Sequence, residues 1–527
     1  MGTHSHLPLR PYQEIAVDEA LCRRSLLLAL VQGAGKTRTV IETIRILAEE
    51  GSVQGGAIFC PSSLKFQWRD AELAKWDDAN HAIVIDGTKK KRTQQYEEAH
   101  NYRYTILNYD ALVHDWDLIK QYLPIDFIVA DEVTFIKGLN AKRSKRLKML
   151  GHYARYRYGL SGQPIENRPE ELYSIMQFVD PTVLGDPEHF DRTFLVRTPW
   201  GKTVGHRNLP LLRQTLGDAM FRRSRADIAE YLPQRIETDI PVHMTGQQAK
   251  LYDHIREDLC DTIDQAMAGG VSGFDVESHY GGGGNADNNN NKLKGLVMAR
   301  ITAMRLLCSH PQLLSASAQD YDDPKTASGS AYAAEMAAAG LLDHLPDSSA
   351  KLDALVAQLK MIFEEEPESK VVIYSVFKSM VRMIQEEARD LGLGCVSMTG
   401  STTPKNRQQA IENFNTNPGV KVFVSSDAGA YGVNLDRGTH LISYDFPWSA
   451  GTLGQRVARI DRTSTVAPTI LISYLYGFGT IDHYQKMMLE QKKAIGDAWV
   501  DGQNIDAKGG LELSLSSLRD FMEAPLL

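Results

Sequence analysis

The sequence predicts an α/β protein built from two lobes, each with a parallel β-sheet that helices cover. Residues 24–180 alternate short apolar runs with amphipathic stretches, and the same alternation returns after residue 350. Short apolar runs that end in small or polar residues are typical of buried parallel strands, and the amphipathic stretches between them are typical of covering helices. A different stretch, residues 195–345, separates the lobes and has a mainly helical pattern.

The predicted strands are recognised by their apolar runs. In the first lobe these runs read SLLLALV, GGAIFC, YTILNY, DFIVAD and RYGLSG. In the second lobe they read KVVIYS, GCVSMTG, KVFVSSDAG, HLISYD and TILISYLY. Helical periodicity lies between them, as in TRTVIETIRILAEEG of the first lobe and SMVRMIQEEARDLG of the second.

The stretch between the lobes contains segments of low complexity. GGGGNADNNNN lacks the apolar side chains needed for a core and predicts a flexible loop near residues 269–293. The Ala/Ser/Gly-rich residues 315–340 predict a second flexible connection. We therefore expect a first lobe, a helical middle region, a second lobe and a tail, with bounds 1–195, 196–345, 346–505 and 506–527.

The composition limits the class of protein. The chain has 527 residues, of which 43% are hydrophobic and 24% charged, which is typical of a soluble globular protein with several domains. No apolar run approaches the roughly 20 residues of a membrane helix, and the N-terminus is too polar for a signal peptide. The five cysteines are scattered without a CxxC pair, so we expect reduced thiols, a cytoplasmic location and no zinc site. The net charge of −8 argues against a protein whose whole surface binds nucleic acid, but it is compatible with a local basic cleft that does so.

A phosphate-binding loop is indicated by LVQGAGKT, residues 30–37, which follows an apolar strand and opens a helical stretch. Glycines let backbone amides approach phosphate groups, and the helix N-terminus adds partial positive charge. Lys36 is expected to reach the β- and γ-phosphates, and Thr37 to hold magnesium through its hydroxyl. The first position of the usual GxxxxGK[ST] pattern is Leu30, so a chance match is the alternative.

An acidic pair stands at the end of a second predicted strand. Asp131 and Glu132 directly follow FIVA, so we expect them at the carboxyl end of that strand, where α/β sheets bind ligands. Asp131 is expected to bind magnesium, and Glu132 to polarise the attacking water. The alternative is that two acids merely solvate a strand end, but Lys36 on a neighbouring motif favours the catalytic interpretation.

At this point the chain resembles the SNF-type (SWI/SNF-like) ATPases of helicase superfamily two, over about residues 9–476. The first-lobe segments that carry the resemblance are LRPYQ (9–13), FCPSSLKFQWRDAELAKW (59–76), ILNYDAL (106–112) and GLSGQPIENRPEELYSIMQF (159–178). The resemblance implies two RecA-like lobes with family-specific helical insertions between them. It makes the first lobe a helicase ATP-binding domain and the second a helicase C-terminal domain.

Two segments of the middle region resemble this family and are absent from general RNA helicases, namely residues 221–255 and 304–314. The resemblance continues through the second lobe in KVVIYSVF (370–377), MTGSTTPKNRQQAIENFN (398–415), SSDAGAYGVNL (425–435) and YDFPWSAGTLGQRVARIDRTST (444–465). Arg459 and Arg462 match the two arginines of the last motif, which implies that they stabilise charge on the γ-phosphate. A helix with surface arginines is the alternative for that pair.

The resemblance also implies ligands for other residues. ATP and Mg²⁺ are the implied cofactors, and the implied nucleotide-binding residues are Arg10, Gln13, Gln32, Gly33, Ala34, Gly35, Lys36, Thr37 and Gly432. The implied contacts with the DNA backbone are Ser63, Lys65, Tyr109, Ser401 and Ser426. For each of these five, loop capping is the structural alternative. The basic runs KKKR (89–92) and KRSKRLK (142–148) are either solvated faces or further DNA contacts.

Several positions depart from the family pattern. Leu30 and Val31 replace the usual acidic pair before the phosphate loop, and RTST replaces RIGQ at the end of the last motif. Thr134 stands where a histidine is usual in the family. In motif III, which lies in the segment 159–178, the sequence reads SGQP because Gln163 replaces a threonine. We expect Gln163 to fill the space of the missing imidazole and to hydrogen-bond toward Thr134. These changes concern the coupling of ATP to DNA more than hydrolysis.

The sequence thus predicts an ATP-driven motor whose lobes step along double-stranded or forked DNA, remodelling it or displacing bound protein at replication forks or recombination intermediates. Two other functions stay open. One is a strand-separating DNA or RNA helicase, and the other is a non-hydrolysing DNA-binding protein derived from an ATPase. Because the chain is nearly all motor, we expect a monomer of viral or bacterial source. We expect no membrane association, and the sequence does not identify a protein partner.

Overall fold

The computed structural model describes residues 8–165, 168–198, 203–271, 273–274, 289–323, 329–430, 432–501 and 513–524. The chain forms two compact units. The first unit contains Met1–Leu232 together with Lys493–Gly510, and the second contains Pro233–Lys492 together with Leu511–Leu527. The first unit is therefore discontinuous in sequence, and its main part extends beyond the expected lobe boundary at residue 195.

The first unit is built on a seven-stranded parallel sheet with the order β3-β4-β2-β5-β6-β1-β9. The strands of this unit are β1 (Ser25–Leu30), β2 (Gly56–Cys60), β3 (Ala82–Val84), β4 (Tyr104–Asn108), β5 (Phe127–Asp131), β6 (Tyr156–Leu160), β7 (Leu195–Arg197), β8 (Thr203–His206) and β9 (Met220–Arg223). Strands β7 and β8 form a separate antiparallel pair. Every residue of β1, β2 and β5 is buried, which agrees with their unbroken apolar runs.

Helices cover this sheet, and each buries an apolar stripe against it. In the helix Lys36–Glu49 the stripe includes Val40, Ile41, Ile44 and Leu47. The other α-helices are Pro11–Arg23, Lys65–Gln67, Ala74–Trp76, Lys89–Glu98, Ala111–His114, Trp116–Tyr122, Lys142–Gly151, Pro169–Val179, Pro187–Phe194 and Leu209–Leu216. Short 3₁₀ helices are Ser62–Leu64, Ala79–His81, Ala99–Asn101, Val133–Ile136, Gly217–Ala219 and Ala226–Tyr231, and Trp68–Leu73 is a π-helix.

The second unit contains a six-stranded parallel sheet with the order β10-β16-β15-β12-β14-β13. Its strands are β10 (Gln234–Val242), β11 (Gly273–Phe274), β12 (Val371–Tyr374), β13 (Gly394–Met398), β14 (Val420–Ser425), β15 (His440–Ser443), β16 (Thr469–Gly477) and β17 (Leu513–Ser514). Strands β11 and β17 form an antiparallel pair outside this sheet. The prediction of two parallel-sheet α/β lobes is confirmed.

The helices of the second unit include a long pair, Gly246–Ala268 and Asn289–Ser309, whose apolar faces meet in one core. Arg300 of one helix forms an ion pair with Asp258 of the other, with a nitrogen–oxygen distance of 3.0 Å. The remaining helices are Pro311–Asp322, Ala331–Ala338, Ala350–Glu365, Lys378–Asp390, Pro404–Thr416, Asp427–Ala430, Ala450–Val457, Ile481–Val500 and Leu515–Glu523. From Lys493 onward, the residues of the helix Ile481–Val500 belong to the first unit. Among the described residues, none of the helices is both long enough and apolar enough to cross a membrane.

The middle region differs from its sequence prediction in two ways. Residues 315–340 were expected to be flexible, but the described part forms the helices Pro311–Asp322 and Ala331–Ala338, and Tyr332 and Met336 are buried. Alanine has the highest helix propensity, so an Ala-rich stretch with a few apolar anchors folds as helix. The region also supplies strands to both sheets. Most of the loop expected near 269–293 lies outside the described residues.

Candidate functional site

The phosphate-binding loop connects β1 to the helix Lys36–Glu49, as the sequence predicts. Gly33 and Gly35 both have φ near 81°, a left-handed conformation that a side chain disfavours. A Cβ on Gly35 would also lie 2.4 Å from the amide nitrogen of Gln13. The glycines are thus required by backbone geometry and by a close neighbour. Thr37 is the second residue of the helix, beside its N-terminal amides.

Gln13 holds the phosphate loop through its buried side-chain amide. Its Nε2 donates to the carbonyl oxygen of Ala34 at 3.0 Å, and the same oxygen accepts from the Tyr12 hydroxyl at 2.8 Å. The Gln13 Oε1 accepts from the backbone N–H of Arg10 at 3.0 Å. The helix Pro11–Arg23 therefore fixes the loop from one side. Burial raises the pKa of Tyr12 to about 12, so its hydroxyl stays a donor at neutral pH.

An aromatic and cationic cluster lies next to this helix. The guanidinium of Arg10 lies 4.8 Å from the centre of the Tyr231 ring, and the Tyr12 and Tyr231 rings are 5.6 Å apart. On the other side, Arg38 lies 4.2 Å from the centre of the Trp76 ring. Cation–π contacts of this kind are worth about 0.5–2 kcal/mol each. The contact with Tyr231 fixes Arg10, for which the resemblance implies a contact with the nucleotide, next to the helix Pro11–Arg23.

Lys36 points back across its own loop. Its ammonium group donates to the carbonyl oxygens of Leu30 at 3.0 Å and Val31 at 3.4 Å. The loop also packs against the end of β6, because a Cβ on Gly162 would lie 2.5 Å from Cγ of Gln32. The glycine of SGQP therefore permits close contact between the end of β6 and the phosphate loop.

Asp131 ends β5 and is held by a set of hydrogen bonds. Its Oδ2 accepts from the indole N–H of Trp68 at 2.9 Å, and its Oδ1 accepts from the backbone N–H of Glu132 at 3.0 Å. Its carbonyl oxygen accepts from the Tyr109 hydroxyl at 2.8 Å. The side chain is nearly buried, so these donors fix its orientation. Trp68 was missed by sequence reasoning, because its partner lies 63 residues away.

Glu132 has a left-handed backbone conformation, with φ of 49° and ψ of 58°. This conformation is unfavourable for a residue with a side chain, and residues of this kind cluster at functional sites. Glu132 is also the turning point between β5 and the 3₁₀ helix Val133–Ile136. The acidic pair therefore stands at the carboxyl end of β5, as predicted, with its backbone turned sharply there.

The expected hydrogen bond from the Gln163 amide to Thr134 is not formed. The Nε2 of Gln163 is buried without a hydrogen-bond partner among the described residues. It lies against Gly496, where an added Cβ would be 3.2 Å away. The prediction of that hydrogen bond is wrong, because the Gln163 amide lies against Gly496 of the helix Ile481–Val500 instead.

Arg459 and Arg462 follow the helix Ala450–Val457 in the second unit, and both donate to the loop that follows Gly432. The guanidinium of Arg462 donates to the side-chain oxygen of Asn434, and to the carbonyl oxygen of Val433 at 3.2 Å. Arg459 donates to the same carbonyl at 3.4 Å and is 7% exposed. Gly432 has φ of 74° and so supplies a turn that a side chain disfavours. The structure thus brings three of the predicted residues together.

A third arginine of the same segment, Arg456, was not predicted. It is 1% exposed, pairs with Asp427 at 2.5 Å, and donates to the Ser443 hydroxyl at 2.7 Å. It also lies 3.6 Å from Asp445, whose pKa burial raises although Arg456 opposes that shift. A buried charge needs a partner, so the arginine and the two aspartates belong to one buried network. The signal in the sequence is the three-residue spacing of arginines in RVARIDR.

The residues expected to contact DNA fall into two groups. Ser401 is exposed, and Ser63 is partly exposed at the start of the segment 62–76. Lys65, Tyr109 and Ser426 are buried. Lys65 pairs with Asp86 at 2.6 Å, and Tyr109 stacks on Phe135, so both side chains have partners within the first unit. Their contact with DNA stays a prediction.

The two basic runs are also mixed in character. Lys89, Lys90 and Lys91 are exposed, whereas Arg92 pairs with Asp115 at 2.7 Å. In the helix Lys142–Gly151, Arg146 donates to two main-chain carbonyls and Lys148 donates to the Ser174 hydroxyl at 2.8 Å. Burial lowers the pKa of Lys148 to about 8. Only part of each run is therefore available to a ligand.

Comparison with protein families gives two matches. The SNF2-related domain matches residues 15–313, and the helicase conserved C-terminal domain matches residues 350–464. The first match alone covers more than half of the chain.

Two curated relatives illustrate the similarity. The DNA repair and recombination protein RAD54B of Mus musculus is 25% identical over 94% of this chain, which spans 56% of the relative. The ISWI chromatin-remodeling complex ATPase ISW2 of Saccharomyces cerevisiae is 24% identical over 88% of this chain, which spans 38% of that relative. The chain therefore spans about half the length of these relatives or less. Both are eukaryotic, so they do not support the expected viral or bacterial source.

Two solved structures are similar in fold. The helicase domain of Pyrococcus furiosus Hef superposes with a TM-score of 0.50 at 15% identity, covering 91% of this chain and 98% of that one. The Sulfolobus solfataricus SWI2/SNF2 ATPase core in complex with dsDNA gives a TM-score of 0.40 at 23% identity, with 94% of each chain covered. The first likeness shows the fold.

Proposed function

Because this chain belongs to the SNF2-related family of helicase-like ATPases, we propose that it is an ATP-dependent translocase on double-stranded DNA that remodels DNA or displaces bound protein. One observation supports this most directly. Lys36 and the pair Asp131–Glu132 stand at the carboxyl ends of β1 and β5, which are separated in the sheet by β6 alone. Two strand spacings correspond to about 10 Å, a distance that a triphosphate with its cation spans.

In this proposal, the residues of the first unit have separate chemical roles. The loop from Gln32 to Gly35 presents backbone amides to the phosphates, and Lys36 adds the positive charge that they attract. Glu132 orients the attacking water and accepts its proton. A side-chain hydroxyl and a carboxylate are hard oxygen donors, so Thr37 and Asp131 fit Mg²⁺. When bound, Mg²⁺ supplies neutralising charge to the phosphate oxygens.

The second unit contributes Arg459 and Arg462 to the proposal. Guanidinium groups that approach the transferred phosphoryl group stabilise its negative charge in the transition state. In this structure both groups donate to the carbonyl of Val433, an acceptor much weaker than a phosphate. Because the charge that they would stabilise develops in the transition state, we assign Arg459 and Arg462 to hydrolysis rather than to nucleotide affinity.

Double-stranded or forked DNA is the proposed polymer. The mouse relative is a DNA repair and recombination protein, and one similar structure was solved in complex with dsDNA. Exposed polar groups such as Ser63 and Ser401, with the lysines of 89–91, are suited to phosphate oxygens and provide no sequence readout. Replication forks and recombination intermediates are therefore the proposed settings.

The test is the rate of ATP hydrolysis measured without nucleic acid and with single-stranded DNA, duplex DNA, forked DNA or RNA. We expect strong stimulation by duplex or forked DNA and little by RNA. A Lys36→Ala variant serves as the inactive control. Hydrolysis that responds equally to every polymer, or strand separation on tailed duplexes, would favour a general helicase. Absence of hydrolysis in the native chain would favour a DNA-binding protein instead.

A further inference from the structure

We propose that Trp68 is a positioning residue for the magnesium site, acting through the carboxylate of Asp131. The inference rests on the proposed use of Mg·ATP by this chain. Its basis is the hydrogen bond of 2.9 Å from the indole N–H of Trp68 to Oδ2 of Asp131. Trp68 is 2% exposed and Asp131 is 7% exposed, so water does not readily replace either partner.

The bond determines how the carboxylate can face a cation. One oxygen of Asp131 accepts from Trp68 and the other from the backbone N–H of Glu132. Each carboxylate oxygen has two lone-pair sites, and these two bonds determine which of them face the indole and the backbone. With both oxygens held, rotation about the Cβ–Cγ bond is restricted. Partners of this kind, which hold a metal ligand without touching the metal, commonly change metal affinity by about 10–100-fold.

Trp68 belongs to a segment, residues 62–76, that other contacts hold at both ends. Near its start, Lys65 donates to Asp86 at 2.6 Å and to the carbonyl oxygen of Ile85 at 2.9 Å. At its end, the ring of Trp76 lies under Arg38, which follows Thr37 in the phosphate-loop helix. The segment therefore contacts both the phosphate-loop helix and the magnesium carboxylate.

The π-helix Trp68–Leu73 is a second sign that this position is constrained. Such turns are rare, they are less favourable than an α-helix, and they are found frequently at functional sites. Here the π-helix begins at the residue that reaches Asp131. The exposed side of the same segment begins near Ser63, one of the proposed DNA contacts. The backbone is thus irregular at the residue that contacts the proposed magnesium ligand.

The experiment compares Trp68→Phe with Trp116→Phe in the full chain. Trp116 begins the helix Trp116–Tyr122, and its ring contacts Lys120 and Arg146. Both changes keep a ring and remove an indole N–H, but only the first removes the donor to Asp131. Binding of Mn²⁺ in the presence of ADP is followed by electron paramagnetic resonance, and the half-saturating Mg²⁺ concentration is measured for ATP hydrolysis. Thermal unfolding reports whether each variant folds.

We expect Trp68→Phe to raise both half-saturating metal concentrations about tenfold, with a smaller change in the KM for ATP at saturating Mg²⁺. Trp116→Phe should stay within about twofold of the native protein. Equal metal affinities in the two variants would overturn the positioning role while leaving the ATPase function intact. A native chain that neither binds Mn·ADP nor hydrolyses ATP would remove the proposed function, and the inference with it.

Discussion

At the scale of single residues, Glu132 combines an unfavourable backbone with an assigned chemical role. Its left-handed conformation costs about 1–3 kcal/mol, and the surrounding contacts must stabilise it. Those contacts include the bond from its N–H to Asp131 and the bond from the Tyr109 hydroxyl to the Asp131 carbonyl. Tyr109, which is predicted to contact DNA, thus also supports the acidic pair.

Arg462 gives a prediction at this scale. Replacement by alanine should leave nucleotide binding within about twofold, because the proposed role concerns charge that develops during hydrolysis. Turnover should fall by about 10³ or more, the effect of losing an arginine finger. The measurement is binding of a fluorescent ADP analogue beside DNA-stimulated hydrolysis. Full DNA-stimulated turnover in Arg462→Ala would exclude the assignment.

The outcomes at single residues show what local patterns can and cannot predict. Lys36, Asp131 and Glu132 were found because their chemistry depends on neighbours within a few positions. Trp68 and Arg456 were missed because their partners are separated from them by 63 and 29 residues. Such pairs arise only when the sheet brings distant strand ends together, and no local pattern records them.

At the scale of elements, burial explains which strands were predictable. The fully buried strands β1, β2 and β5 have unbroken apolar runs and were all predicted. β3 has three residues, too few for a periodicity to show. β10 is mostly exposed and its residues QRIETDIPV are largely polar, so it gives no apolar run although it pairs with β16 along nine residues.

A hydrogen bond between Glu170 of the helix Pro169–Val179 and His206 of β8 predicts that the stability of the fold depends on pH. Burial raises the pKa of Glu170, but the His206 ring at 2.9 Å outweighs burial and holds that pKa below its ordinary 4.5. Since the folded-state pKa is the lower one, the carboxylate stabilises the fold above about pH 4.5. That contribution is lost as pH falls through the folded-state pKa.

We therefore expect the free energy of unfolding of the native chain to fall more between pH 5 and pH 3 than that of Glu170→Gln. The difference should be about 1–2 kcal/mol, the value of a charge-assisted hydrogen bond. Urea unfolding at several pH values measures it. Glu188→Gln, at an exposed carboxylate, is the matched control and should behave like the native chain. Parallel curves for native and Glu170→Gln would contradict this account.

At the scale of the whole molecule, the first unit is completed by residues from the far end of the chain. Lys493–Gly510 belong to it, and Trp499 there is 1% exposed with its ring 5.0 Å from that of His206. Arg222 at the end of the sheet forms an ion pair of 2.7 Å with Asp501. The sequence predicted one contiguous lobe because apolar runs show where strands lie, not which distant helix covers them.

Truncation tests the importance of this segment. A chain that ends at Lys492 loses the burial of Trp499, which is worth about 3–5 kcal/mol, as well as the partner of Arg222. We expect the calorimetric transition of the first unit to move to a lower temperature. A chain that ends at Gly510 keeps the segment and should leave that transition in place. Equal transitions in the two truncated chains would show that residues 493–510 do not stabilise the first unit.

The discontinuity of the first unit also has a consequence for biosynthesis. About 260 residues separate Leu232 from Lys493, and synthesis of that length takes about 13–50 s at ordinary rates of translation. During that interval the nascent first unit can form its sheet but lacks the helical turns that carry Trp499. The apolar surface against which Trp499 packs is then exposed. Exposed apolar surface of this kind is what chaperones bind, so the newly made first unit is expected to depend on them until the ribosome has passed residue 510.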